Sequence, residues 1–118
     1  IKFSYILSRK RIKMSEFSNV NVQKEANIYF GGKVISTSIS FQDGSKKTLG
    51  VMLKGEYEFN TEQKEIMEIM TGKLQVLLPN KSEWINIKSG ETFEVPKNSS
   101  FKLKIHDLTN YCCEYIDE

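Results

Sequence analysis

The chain has a single histidine, His106, among its 118 residues. It lies on the opposite parity to Phe101, Leu103 and Ile105, so an alternating strand turns it outward. An interior iron, manganese or zinc site built on imidazoles is therefore not expected. Cysteine is nearly as scarce, with two adjacent residues, Cys112 and Cys113. Neighbours on a strand point to opposite faces, so the two neither bridge each other nor chelate one ion. Two free thiols agree with a reducing compartment. The two prolines, Pro79 and Pro96, form no linker that would divide the chain. No apolar run approaches the roughly 18 residues that a membrane helix needs. Acid is missing from the first 13 residues, where Lys2, Arg9, Lys10, Arg11 and Lys13 stand; with a net charge of +2, the remainder carries −3. A mildly acidic body offers no basic face to a phosphate backbone, so neither nucleic acid nor membrane is an expected partner.

What is present is a globular composition, 39% hydrophobic and 27% charged, at a length that suits one hydrophobic core. Residues 1–26 are read as an N-terminal extension and polar lead-in, and residues 27–118 as the domain. The first 13 residues precede Met14 and are expected to lie upstream of the natural start. Their short apolar "YIL" comes before most of the charges, unlike the core of a signal peptide, so the expected location is the cytoplasm.

From Lys33 onward the apolar residues recur with period two between glycine, asparagine and lysine-serine turns, the pattern of antiparallel strands. Ile35, Thr37, Ile39 and Phe41 share one face, and "QDGS" supplies a hairpin turn into "KTLGVMLKGEYEF". Leu74, Val76 and Leu78 alternate before the turn "NKSE" and the return strand "WINI". Further strands are expected in "TFEVP", "SFKLKI" and "NYCCEYI", the last with Tyr111, Cys113 and Tyr115 on one face. "TEQKEIMEIM" has both helical and strand spacing, and its flanks favour a strand entering a turn at "TG". About eight short strands result, an all-β pattern fitting a sandwich, jelly roll or small barrel.

Two spacings resemble those of the cupin fold, a small jelly-roll barrel of the RmlC-like type. Glu65 to Gly72 fits the end of its first motif, and Gly90 to Pro96 in "GETFEVP" fits the second. Where metal-binding cupins carry histidines, this chain has Phe59, Thr61 and Phe101. The wider pattern of "NIYFGGKV", "TLGVMLKGEYEFNTE", "MEIMTGKLQVLLP", "SGETFEVPKNSSFKL" and "YCCEYI" resembles the pyrimidine/purine nucleoside phosphorylase family of small cupins, over about residues 27 to 116.

That resemblance implies a homodimeric, metal-free enzyme that uses inorganic phosphate as co-substrate and no other cofactor. It would cleave purine and pyrimidine ribonucleosides to free base and α-D-ribose 1-phosphate; the alternative is a cupin that binds a small molecule without catalysis. Phosphorolysis passes through an oxocarbenium-like sugar, which calls for an anion, a hold on the sugar, a phosphate cradle and a wall for the base. Glu65, at a metal-ligand position, is expected to point inward and stabilise the cation, or else to be a buried carboxylate tied to backbone amides or Lys46. Glu56, beside Tyr57 near the barrel mouth, is a second sugar-binding candidate, or a solvated turn carboxylate. Phe59 and Phe101 would supply a stacking wall, or only core packing, with Tyr57, Thr61 and Met52 completing the substrate site. Lys46, Lys47 and Thr48 are the phosphate candidates, unless the lysines belong to a solvated hairpin. Tyr29 and Phe30 are read as a lid or a dimer contact, and Trp84 as packing.

Overall fold

The structure, a computed structural model, describes residues 15–118; the expected upstream segment 1–13 lies outside them. Nine strands follow in order among these residues: β1 (Asn21–Val22), β2 (Asn27–Tyr29), β3 (Val34–Ser40), β4 (Lys46–Met52), β5 (Gly55–Asn60), β6 (Lys64–Leu77), β7 (Ile85–Lys88), β8 (Thr92–Val95) and β9 (Ser100–Ile116). Among the described residues the only helical turn is a short 3-10 segment at Phe30–Gly32. All pairings are antiparallel and belong to one sheet that folds over itself into the expected cupin-type jelly roll.

The long strand β9 is the spine. Its first half, Ser100 to Ile105, lies between β5 and the end of β6, and its second half lies between β4 and the start of β6. One layer therefore runs β1 and β2, β3, β4, late β9, early β6, β8; the other runs β5, early β9, late β6, β7. The facing side chains form the core, with Leu74, Val76, Leu103 and Ile105 essentially inaccessible to water. Each such side chain contributes about 1.5–3 kcal/mol on burial.

Two expectations change here. "SFKLKI" and "NYCCEYI" form one strand of 17 residues, and "TEQKEIMEIM" does not end at "TG" but runs through it to Leu77. Period-two reading places a break wherever parity shifts. In β6 the buried positions are odd up to Ile69 and even from Leu74, so an extra residue is absorbed between them without ending the strand. The matching register shifts on β9 fall between Ile105 and Tyr111. At this bend the backbone of Gly72 takes φ +134°, and a Cβ added there would stand 2.8 Å from Thr109 Cα and collide with the Thr109 hydroxyl. Glycine is required by close approach as well as by conformation.

The "QDGS" hairpin forms as expected, with β3 and β4 in register from Val34–Met52 to Ser40–Lys46. Asp43 Oδ1 accepts bonds from the Ser45 amide at 2.9 Å and its hydroxyl at 2.6 Å. Ile35, Thr37 and Ile39 do share a face, opposite to the one that meets the interlayer space, and on it Ile39 is buried while Ile35 and Thr37 are half-buried. Val34, Ser36 and Ser38 hold the inner positions, and Ser36 lines an interior cavity. The polar lead-in joins the sheet as well: Asn21 and Val22 pair with Ser40 and Ile39, and Gln23 N donates to Ser38 O at 2.9 Å.

Gly72→Ala should lose about 3 kcal/mol in urea unfolding, combining overpacking with backbone strain. Gly44→Ala, at φ +89° with no atom near the added Cβ, should lose only about 1–2 kcal/mol. Equal losses would show that the approach to Thr109 is not what demands glycine.

Candidate active site: two adjoining cavities

A cavity of about 310 Å³ opens between the layers at the end where β6 begins and β9 finishes. Glu65 reaches it because it shares the inward parity of Met67 and Ile69. Its neighbours across the strand pairs are Tyr115 on β9 and Val95 on β8. The polar contact made by Glu65 is with Cys113, whose Sγ–H donates to Oε1 at 3.5 Å. That thiol takes the place of the backbone amides or Lys46 considered from the sequence.

Burial raises the Glu65 carboxyl above its ordinary value, and the Cys113 hydrogen bond opposes the shift. Desolvation acts on its neighbours in the same direction. The Tyr111 hydroxyl is pushed up to about 12, and the Cys113 thiol and Tyr115 hydroxyl are raised as well, each chiefly by burial. Glu65 thus faces groups that stay neutral at physiological pH, an environment that favours an arriving positive charge.

The opposite wall is aromatic. Phe59 and Phe101 stack at 5.9 Å with 28° between their planes, and Phe93 braces Phe101 edge-on at 6.3 Å. Tyr29 and Phe30 approach Phe59 edge-on at 5.9 and 5.4 Å. Tyr29 lines the cavity, and Phe30 beside it is exposed. Met52, also expected, lines the floor.

Three expected residues lie elsewhere. Glu56 alternates with Tyr57, so when Tyr57 and Phe59 take the inward positions the carboxylate turns to solvent, with Lys104 its strand partner. Tyr57 is buried outside the cavity lining and donates to Leu53 O at 2.6 Å, closing the link between β4 and β5. Thr61 is buried too: its hydroxyl donates to Pro96 O at 2.7 Å and accepts from the Ser99 amide at 3.1 Å. It ties the approach to β6 to the approach to β9. Neither polar group is left to meet a substrate.

A second cavity, about 500 Å³, adjoins the first and shares Tyr29, Gln63 and Tyr115 with it. Here the phosphate candidates are found together. Lys46, Lys47 and Thr48 all line it, Thr48 lying 3.2 Å from the Tyr115 hydroxyl. The Lys47 ammonium rests over the rings of Phe17 and Phe41 at 5.3 and 5.6 Å. Among the described residues the charge is segregated: two lysines and no carboxylate line the second cavity, while Glu62 and Glu65 and no cation line the first. Across β6, β9 and β4 the register sets Glu65, Tyr115 and Lys46 in one row.

Sequence reasoning missed Tyr115, Gln63 and the inward serines. The alternation of Tyr111 and Tyr115 with Cys113 was visible. So was the polar stripe Ser36, Ser38 and Ser40, but the isoleucines drew attention to the other face. No group of three or more His, Cys, Asp or Glu side chains that could hold a metal ion gathers among the described residues. His106 is exposed on β9, within 2.9 Å of Gln75 Oε1.

A jelly roll of this size, with an acidic and aromatic cavity between its layers, has the architecture of a small cupin. Comparison places it further. Residues 24–115 match the family described as pyrimidine/purine nucleoside phosphorylase. A pyrimidine/purine nucleoside phosphorylase of Chlorobium chlorochromatii is 59% identical over 103 residues, covering 87% of this chain and 99% of the relative. One from Geotalea uraniireducens is 57% identical, covering 88% and 100%. A crystal structure of a protein of unknown function from Acinetobacter sp. ADP1 superposes with a TM-score of 0.83 at 39% identity, covering 86% of this chain and 98% of that one. The chain belongs to the pyrimidine/purine nucleoside phosphorylase family.

The raised Glu65 carboxyl has a stability consequence. A carboxyl whose value is higher folded than unfolded favours folding at low pH and loses that contribution as pH rises through the folded value. Glu65→Gln should therefore melt higher than the natural chain at pH 7–8, by on the order of 1 kcal/mol. The gap should close below about pH 4.3, where both forms are neutral. A variant less stable at pH 7 would show that the carboxylate is fully compensated.

Proposed function

We propose that the chain is a nucleoside phosphorylase that cleaves purine and pyrimidine ribonucleosides with inorganic phosphate. The observation that carries this reading is the division of charge between two adjoining cavities, an acid in one and lysines in the other. The base stacks against Phe59 and Phe101, where contact is worth about 1–3 kcal/mol and is indifferent to base identity because every base has a π-face. The ribose lies toward Glu65, whose carboxylate stabilises the positive charge that develops on C1′ as the C–N bond breaks. A phosphate oxygen held on the Lys46 and Thr48 side forms the new C–O bond from the face opposite the base. That inverts the β-linkage and gives α-D-ribose 1-phosphate. The electron pair of the broken bond leaves with the base, and the proton brought by hydrogen phosphate ends on it, so the exchange balances without water. The residues need no metal or organic cofactor for this sequence.

A homodimer and a cytoplasmic location accompany the reading. The dimer has support in the exposed apolar residues at the β1 and β2 edge, Val22 at 55% and Ile28 at 65% exposure. No helix among the described residues is long and apolar enough to cross a membrane.

The direct assay uses purified protein with adenosine, uridine and guanosine, with and without phosphate. Base should appear only with phosphate; release without it would mean hydrolysis, and no release would leave a binding protein. Glu65→Gln should cut kcat by about a hundredfold or more, the scale of losing one transition-state electrostatic contact. Phe59→Ala should weaken all three nucleosides together, by about tenfold to a hundredfold in KM. Loss for one base alone would contradict a shared stacking wall.

A further inference from the structure

Among the described residues the Glu65 carboxylate has one hydrogen-bond donor, the Cys113 thiol, which engages Oε1 at 3.5 Å. The sheet sets this contact. Cys113 pairs with Met67 on β6 and Thr48 on β4, while Glu65 pairs with Tyr115, so thiol and carboxylate are diagonal neighbours on one inner face. Cys113 is only 2% exposed, yet it lines the first cavity together with Glu65. The Tyr115 hydroxyl donates to its sulfur. Cys112, one residue earlier, has the opposite parity and pairs with Leu49 and Glu68.

A thiol is a weak donor that carries no charge. An ammonium or guanidinium in its place would neutralise the carboxylate, and an apolar side chain would leave both oxygens unheld in a desolvated pocket. Burial raises the thiol, so the proton stays on sulfur and the donor persists across physiological pH. We propose that Cys113 is a positioning residue for Glu65, its S–H holding Oε1 so that Oε2 is presented to the ribose. The same bond favours the ionised carboxylate and opposes the upward push of burial. Losing the donor should therefore raise the Glu65 carboxyl further and move the acid limb of kcat/KM, which follows the free enzyme's groups, to higher pH. The other titratable groups at this cavity are Tyr111 and Tyr115 on β9, Tyr29 on β2 and Glu62 before β6, while β8 presents Val95. Burial keeps the two β9 phenols protonated, which leaves Glu62 as the other carboxyl at the cavity. The kinetic consequence rests on the phosphorolysis reading, whereas the coupling of thiol to carboxylate is measurable without turnover.

The test is a carbon-13 NMR titration of the full chain labelled at its glutamate carboxyls, with no nucleoside or phosphate present. The Glu65 resonance is assigned by its loss in Glu65→Gln, which separates it from Glu62. Cys113→Ala should move the Glu65 midpoint upward, and so should Cys113→Val, which fills the space without a donor and serves if the alanine variant does not fold. Cys113→Ser should hold the midpoint at or below its natural position, because a hydroxyl is the stronger donor. Cys112→Ala should leave it in place. In phosphorolysis assays across pH, Cys113→Ala should move the acid limb upward and cut kcat near neutrality by about threefold to tenfold, the scale of one hydrogen bond. Nucleoside KM should stay within about twofold, as befits a contact that matters chiefly in the transition state, and Cys113→Ser should restore kcat and the pH profile. A Glu65 midpoint that is the same in the natural chain and in the alanine or valine variant would overturn the positioning role, whether or not base is released. So would a shifted midpoint with kcat and its pH profile unchanged. A shift in those variants that serine reverses, with no base released by the natural chain, would uphold the coupling and overturn the phosphorylase reading.

Discussion

The structure around this site depends on one half-buried carboxylate in a cavity lined by no cation among the described residues. Glu65 is half-buried with a thiol as its hydrogen-bond donor, and burial pushes its acidity toward the neutral form. A carboxylate with an arginine beside it would be stable and already satisfied. One that faces neutral donors interacts strongly with any positive charge brought next to it. In a reaction through a cationic sugar that charge exists only near the transition state, so the interaction lowers the barrier more than it favours ground-state binding. On the proposed reading of Glu65, its cost in fold stability and its capacity to catalyse would have the same origin.

The barrel makes such an arrangement tolerable. β9 and β6 pair along most of their lengths, and the tight contact between Gly72 and Thr109 lets both strands bend from one layer into the other without breaking. Apolar packing dominates the far half of the interlayer space, through Leu74, Val76, Leu103 and Ile105. The near half is left for a cavity with polar walls. Thr61, whose hydroxyl is spent on the Pro96 carbonyl, ties down the approach to β6 beside this opening, and Tyr57 closes the link between β4 and β5.

Division of charge is the second organising feature. The row of Glu65, Tyr115 and Lys46 across three strands puts an acid and a base on opposite sides of a neutral phenol. Had the two met directly, they would have formed an ion pair and neutralised each other's charge. Tyr115 separates them, and its desolvated hydroxyl remains protonated, available to donate without adding charge.

Period-two alternation, scarce proline and regular turns were enough to read an all-β jelly roll from the chain, since backbone pleating imposes that pattern locally. Glu65, Phe59 and Phe101 were also legible, because parity and the position of the missing histidines point them inward. Local pattern could not say which face of β3 lines the cavities: Ile35, Thr37 and Ile39 share one face, on which Ile39 is buried, while Ser36 and Ser38 on the other face the cavity walls. Nor could it show that Glu56 is displaced outward by Tyr57, or that Lys46 and Tyr115, 69 residues apart in sequence, become strand neighbours. Periodicity is a property of a few adjacent residues and belongs to the sequence. Which side becomes the inside, and which distant groups meet there, is fixed only when long strands bend, pair in register and close around a shared volume.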